Sequence, residues 1–157
     1  MTSPKALLKA WNLRPKKRLG QHFLVDPSTA EMIARHTRIT SEDTVIEIGA
    51  GLGALTIPLA RMAARVYAVE KDSQLTQLLK TELLVQDLTN VKMIEQNILN
   101  VDLRELAQKS DRPLIVTGNL PYNISSQVIV QLIEARSFVK HAILMFQKEL
   151  AGRITAN

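Results

Sequence analysis

Five short β-rich runs alternate with helix-patterned segments from residue 44 onward, and this alternation restricts the possible folds more than any other feature of the chain. The runs are 44–48 (TVIEI), 66–69 (VYAV), 91–94 (VKMI), 114–117 (LIVT) and 142–146 (AILMF). Helical spacing of apolar residues fills 52–64, 74–84 and 127–134 between them, and more weakly 103–108. Strands alternating with helices require right-handed crossovers, and these build an α/β fold with a doubly wound, mostly parallel sheet. Such sheets take ligands at the carboxyl ends of their strands, near the point where strand order reverses. Residues that directly follow each strand are therefore the place to look for function. Upstream, Asp26-Pro27 opens a further helix, with Asp suited to cap free amides and Pro to the first helical position. That helix carries Met32 and Ile33 on its apolar side. Residues 1–25 read as an arm with a short helix near Leu7 to Trp11, and residues 26–157 as one ligand-binding domain.

The arm is where the charge lies. It carries Lys5, Lys9, Arg14, Lys16, Lys17 and Arg18 and no acid, so the remaining residues hold 14 basic and 15 acidic side chains. The net charge of +5 is thus an N-terminal property. A basic cluster favours a polyanion such as nucleic acid by releasing condensed counterions, and Lys16, Lys17 and Arg18 form its densest run. A solvated tail that aids solubility explains the same charge equally well. Aromatic residues make up 4%, too few for a stacking platform, so any base stacking falls to one or two placed rings. The chain has no cysteine, which excludes a disulfide scaffold and thiolate metal sites and suits a reducing cytoplasm. No apolar run has the length of a membrane span and the start has no apolar signal region; a basic, acid-free start leaves an organelle transit peptide open. His22, His36 and His141 lack ligand spacing, so no metal is expected, and the latter two read as surface or helix-end residues.

The first strand runs into Glu47-Ile48-Gly49-Ala50-Gly51-Leu52-Gly53. Glycines let the backbone turn tightly and let a ligand approach closely. A plain strand-to-helix turn and a loose dinucleotide motif, with Ala54 replacing the third glycine, both describe this segment. Glu70, at the end of the second strand, is placed to accept two ribose hydroxyls, and Lys71 stands beside it. Glu47 is the discordant residue, because a carboxylate would repel a diphosphate. With Glu47 the segment resembles the first motif of class I methyltransferases, E-x-G-x-G-x-G. That resemblance implies S-adenosylmethionine as cofactor, held by Glu47, Gly49, Gly51, Gly53, Glu70 and Lys71, with Glu47 organising the loop and the cationic methionine end. After the third strand such enzymes carry an acid that contacts the adenine amine; here Asn97 stands there, followed by Ile98. The Asn97 amide oxygen can accept one hydrogen bond, and Asn97 serves equally well as a turn residue.

The fourth strand ends in Gly118-Asn119-Leu120-Pro121-Tyr122-Asn123-Ile124-Ser125-Ser126, the most specific motif in the chain. An adenine exocyclic amine is a poor nucleophile because its lone pair is delocalised into the ring. The Asn119 side-chain oxygen and the Leu120 carbonyl can accept its two N–H bonds, localising the lone pair and aiming it for in-line displacement. Pro121 stiffens the turn, and Tyr122 offers a face on which an extruded base can stack. Asn119 also borders the expected cofactor site.

From Arg18-Leu19-Gly20-Gln21-His22-Phe23-Leu24 through the glycine loop to Asn119-Leu120-Pro121-Tyr122 and Gln147-Lys148-Glu149, the chain resembles the rRNA adenine dimethyltransferases of the KsgA type. The resemblance covers nearly the whole chain in the family's motif order. It implies dimethylation of two adjacent adenines of small-subunit ribosomal RNA, a link to ribosome biogenesis, and a cytoplasmic monomer that engages the small-subunit precursor. It also implies that Gln21, His22 and Leu24 fold over the cofactor, although His22 reads equally well from the residues alone as a helix-entry residue. Family members continue with two further strands and a small helical domain, so the chain is expected to be truncated before them and to bind cofactor while methylating weakly or not at all. Leu120 and Tyr122 fit the ribosome-biogenesis branch better than the resistance enzymes of the large subunit. The rival readings are an NAD-type oxidoreductase, which leaves Asn119 and Tyr122 without a role, and a non-catalytic RNA-binding assembly factor.

Overall fold

A computed structural model describes residues 4–14, 21, 23–24, 26–121, 123–146 and 152–153. Its centre is a five-stranded, all-parallel sheet in the order β3-β2-β1-β4-β5. The strands are β1 (Thr44–Ile48), β2 (Arg65–Glu70), β3 (Val91–Glu95), β4 (Leu114–Asn119) and β5 (Val139–Met145). The helices are α1 (Pro4–Ala10), α2 (Pro27–His36), α3 (Thr56–Ala60), α4 (Ser73–Val85), α5 (Leu103–Gln108) and α6 (Ser125–Glu134). The doubly wound reading holds. From β1 the chain steps outward to β2 and β3, then returns to β4 on the other side of β1. The strand order therefore reverses between β1 and β4.

The period-two alternation of β1 sorts the two cores. Val45 joins Ile33, Leu55, Ile57, Leu59, Leu79 and Ile115 on the face covered by α2, α3 and α4. Ile46 and Ile48 join Tyr67, Val69, Leu103, Leu106, Val116 and Val128 on the face covered by α5 and α6. All five residues of β1 are buried, as a central parallel strand with both faces covered requires. Asp26 caps α2 by accepting from the Ser28 amide at 3.0 Å, and Asp72 caps α4 through the Gln74 amide at 3.1 Å.

Three boundaries differ from the sequence expectation, each for a local reason. The helix expected over 52–64 is reduced to α3, because Gly49, Gly51 and Gly53 all hold positive φ and Pro58 sits within the short helix. The last strand begins three residues earlier than expected, at Val139, with a register irregularity between Leu114 and Ile115. The helix after the fourth strand begins at Ser125, where the Ser125 hydroxyl donates to the Pro121 carbonyl at 2.8 Å.

The base of the sheet is tied by polar contacts. Buried Asp43 accepts from the Thr40 amide at 2.8 Å and from the Lys140 ammonium at 3.2 Å. Burial raises its carboxyl, but these donors prevail and leave it below its usual 3.8. His141 Nε2 lies 2.7 Å from the Thr37 carbonyl, and His36 Nδ1 lies 2.7 Å from that of Met32. Both imidazoles thus serve helix ends. Leu7 of α1 is buried with Leu52, Leu75 and Leu78. Among the described residues no helix is long and apolar enough to cross a membrane.

Candidate cofactor and methyl-acceptor cleft

A cleft of about 910 Å³, partly open to solvent, lies at the carboxyl ends of β1, β2, β3 and β4. Of the residues singled out from sequence it brings together Gln21, Leu24, Glu47, Gly49, Gly51, Glu70, Lys71, Asn97, Ile98, Asn119 and Pro121. Gly53 is not in the wall. It sits where a Cβ would come within 2.4 Å of Leu79 Cδ1, so its smallness serves the packing of the loop on α4. The Leu120 side chain is buried in the α6-side core, and its amide donates to the Met145 carbonyl at 3.1 Å; any role at the cleft falls to its main chain. His22, Tyr122, Lys16, Lys17 and Arg18 lie outside the described residues.

The glycine loop is held by acceptors of the protein itself. The Gly49 and Ala50 amides donate to the Val69 carbonyl at 2.9 and 3.1 Å, and the Gly53 amide to the Ala50 carbonyl at 2.9 Å. Gly51 N–H donates to Glu70 Oε2 at 2.9 Å, while Glu70 Oε1 accepts from the Asp72 amide at 2.9 Å. Burial pushes the Glu70 carboxyl above its usual range, against the pull of these amides. Two consequences follow. Glu70 staples the loop to the start of α4, leaving further lone pairs for hydroxyl donors. And four loop amides that could cradle a diphosphate are already engaged, beside a carboxylate that would repel one. A dinucleotide cofactor fits this loop poorly.

Glu47 lies on the face of β1 that meets α3 and is 2% exposed. Burial pushes its carboxyl up to about 8; the nearby Thr56 hydroxyl offsets part of this without a well-directed hydrogen bond, and the Glu70 charge adds to the rise. Its Oε2, the Thr56 hydroxyl and the hydroxyl of Thr117, its cross-strand neighbour on β4, have no hydrogen-bond partner among the described residues. A buried carboxyl with one oxygen left unpartnered at the wall of a cleft is the environment that a cationic ligand would relieve.

At the β3 side, Asn97 Oδ1 caps a short 3₁₀ turn (Ile98–Asn100) by accepting from the Leu99 amide at 3.2 Å. One lone pair of the oxygen expected to meet an adenine amine is therefore used locally. Sequence reasoning did not single out Val69, Leu55, Gln96, Ile124 or Met145, which also line the cleft. Nor did it assign a role to Phe23, whose ring lies 3.4 Å from where a Gly51 Cβ would stand. Apart from Gln96, a polar residue beside the turn, their side chains are apolar and carry no chemical signature. The described residues contain no group of three His, Cys, Asp or Glu able to hold a metal ion.

The family model described as ribosomal RNA adenine dimethylase matches residues 12–157. The ribosomal RNA small subunit methyltransferase A of Desulforapulum autotrophicum is 50% identical over 157 residues, covering 100% of this chain and 55% of that protein. The protein of the same name from Magnetococcus marinus is 45% identical over 152 residues, covering 97% of this chain and 54% of that protein. The chain thus spans about half the length of these curated relatives. Among solved structures, a dimethyladenosine transferase from Plasmodium falciparum matches with a TM-score of 0.75 at 35% identity, covering 87% of this chain and 47% of that one. The 23S rRNA methyltransferase ErmE matches with a TM-score of 0.75 at 28% identity, covering 85% and 51%.

Proposed function

The chain belongs to the ribosomal RNA adenine dimethylase family, and we propose that it carries the cofactor site and catalytic motif of an enzyme that dimethylates adenine exocyclic amines in small-subunit ribosomal RNA. The observation that supports this most is a single cleft at the β1/β4 reversal, entered from one side by the carboxylate-flanked glycine loop and from the other by Asn119 and Pro121. A donor site and an acceptor site that share one wall are what a direct transfer needs.

S-adenosylmethionine would supply an electrophilic methyl group on a sulfonium. The residues present fit it: Glu70 for the ribose hydroxyls, Asn97 and Ile98 for the base, and the Glu47 carboxyl, with its Oε2 unpartnered, at the cationic end. Gln21, His22 and Leu24 would close over it, with Gly49 and Gly51 leaving room for it and Lys71 at the rim. Asn119 and the Leu120 carbonyl would accept the N–H bonds of the target amine, Pro121 would hold the turn and Tyr122 would stack on the base. Removing water from this cleft strengthens each of those hydrogen bonds. Lys16, Lys17 and Arg18 would contact RNA phosphates, with exposed Lys9 and Arg14 on the same arm. The same reading makes the protein a cytoplasmic monomer that acts on the small-subunit precursor.

Calorimetry with S-adenosylmethionine, and with NADH as control, tests the cofactor. Saturable binding of the former that Glu70→Ala abolishes is expected; binding of NADH alone would overturn the reading. Methyl incorporation into unmodified small subunits, lost in Asn119→Ala while cofactor binding persists, tests the chemistry. If Asn119→Ala leaves function intact, the non-catalytic assembly role is the correct one.

A further inference from the structure

The turn that follows β3 is held from outside by one side chain. Gln131 on α6 reaches across and its Nε2 donates to two main-chain carbonyls, those of Ile98 at 3.0 Å and Val101 at 2.9 Å. Both amide protons are thus used on carbonyls three residues apart, which sets the pitch of the turn between them. Gln131 Oε1 is buried and has no partner among the described residues. The side chain therefore acts here as a donor, and the two carbonyl partners also fix which end of the amide is nitrogen.

This turn is the wall that carries Asn97 and Ile98 into the cleft. Its own bonds are short-range: Asn97 Oδ1 to Leu99 N–H at 3.2 Å, Asn100 N–H to the Asn97 carbonyl at 2.9 Å, and Val101 N–H to the Ile98 carbonyl at 3.0 Å. Those bonds shape the turn but do not place it against the rest of the molecule. Ile98 and Val101 bury their side chains, and Gln131 adds a directional tie. The helix that supplies the tie begins just after the acceptor motif and is anchored to it. The Ser125 hydroxyl and the Ile124 amide both donate to the Pro121 carbonyl, at 2.8 and 3.3 Å.

We propose that Gln131 is a positioning residue that sets the base-binding end of the cofactor cleft and ties it, through α6, to the Asn119-Pro121 motif. It touches no reacting atom. Resting on the cofactor reading above, it accounts for how two loops from non-adjacent strands keep a fixed separation: one helix holds both. Because the chemistry needed at position 131 is donation to two carbonyls, a lysine ammonium on a long stem can replace it, whereas a glutamate would set oxygen against oxygen.

The test uses the 157-residue chain with S-adenosylhomocysteine and adenosine as calorimetric probes, and hydrogen exchange over residues 97–101 without ligand. Q131L is expected to weaken both probes by about tenfold, the effect of losing two neutral hydrogen bonds partly replaced by water, and to speed exchange at Leu99 to Val101. Q131K is expected to recover both affinity and protection, and Q131E neither. Unchanged affinity and exchange in Q131L would overturn the assignment, as would a loss that Q131K does not recover, since that marks a packing role alone. If the unmutated chain binds neither probe, the cofactor reading falls and this assignment with it; normal binding by the unmutated chain that Q131L leaves unaltered overturns the assignment alone.

Discussion

Glu47→Gln should stabilise the ligand-free protein, and by an amount that grows with pH. The folded chain keeps a proton on Glu47 up to about 8, whereas an unfolded chain releases it near 4.5. A raised carboxyl of this kind makes folding bind a proton, so stability falls as pH rises between those two values and is flat below and above them. At about 1.4 kcal/mol per decade, the penalty reaches on the order of 3 kcal/mol at pH 7 and levels off on the order of 5 kcal/mol above pH 8. Glutamine keeps the shape of the protonated acid and cannot ionise, and its amide can donate to the unpartnered Thr56 or Thr117 hydroxyl. The variant and the parent should therefore melt alike near pH 4.5. For a chain of this length, 1 kcal/mol moves the midpoint by roughly 2–4 °C, so the variant should lead by roughly 6–12 °C at pH 7.

Circular dichroism melts of both proteins across this range, without ligand, measure the difference directly. Taking the difference removes contributions from other groups, including Asp43. A gap that stays constant with pH, or a variant that melts lower at pH 8, would refute the reasoning, because either result means that Glu47 is not a buried, uncompensated acid. The same substitution should weaken S-adenosylmethionine more than the neutral S-adenosylhomocysteine, since only the former brings a sulfonium charge. Stability is then given up at this position for recognition of a cation.

Further outcomes follow from the same geometry. Glu70→Gln should lower cofactor affinity by roughly a hundredfold and also loosen the loop, because Gly51 and Asp72 amides lose a charged acceptor; calorimetry with hydrogen exchange at residues 49–53 reads both. Gly118→Ala should destabilise by about 1–3 kcal/mol or more, since its Cβ would come within 2.4 Å of the Ile48 carbonyl oxygen; denaturant titration checks it. Asp43→Asn should cost about 1–3 kcal/mol at pH 7 and progressively less as pH falls through and below 3.8, where the parent loses its own ionised contacts with Thr40 and Lys140; melts at pH 3 and 7 test that sign.

The fold was legible because its signals are periodic and redundant. β-rich runs spaced by helical patterns admit few topologies, and each strand was found within a few residues of its expected bounds. The residues of the candidate cleft were legible for a different reason. Asn119, Glu70, Glu47 and the glycines are chemically distinctive residues at strand ends, where the topology concentrates ligand contacts. What stayed hidden depends on contacts between distant segments. Gln131 is an ordinary polar residue on an amphipathic helix until its partners on the β3 turn are known. Phe23 and Met145 are ordinary apolar residues until the cleft is closed around them. The extent of α3 was misjudged because the apolar pattern continues through a glycine turn that cannot be helical.

The two carboxylates also show why a glycine-rich turn does not by itself name a cofactor. In a diphosphate site the turn keeps its N–H groups free and pointed at the ligand. Here Gly49 and Ala50 spend theirs on the Val69 carbonyl, Gly53 on Ala50, and Gly51 on Glu70. The turn is thereby complete without an anion, and what it leaves exposed to the cleft is acceptor and carboxyl character. Glu70 performs two tasks at once under the proposed function, since the carboxylate that consumes the Gly51 donor also lines the cleft, where it is proposed to meet the ribose. Removing both acids would free at most the Gly51 donor, because the other three amides are held by main-chain carbonyls, so a Glu47→Val, Glu70→Gln double variant should lose S-adenosylmethionine without gaining NADH. Gain of NADH binding by that variant would show that the acids alone, and not the engaged amides, keep dinucleotides out.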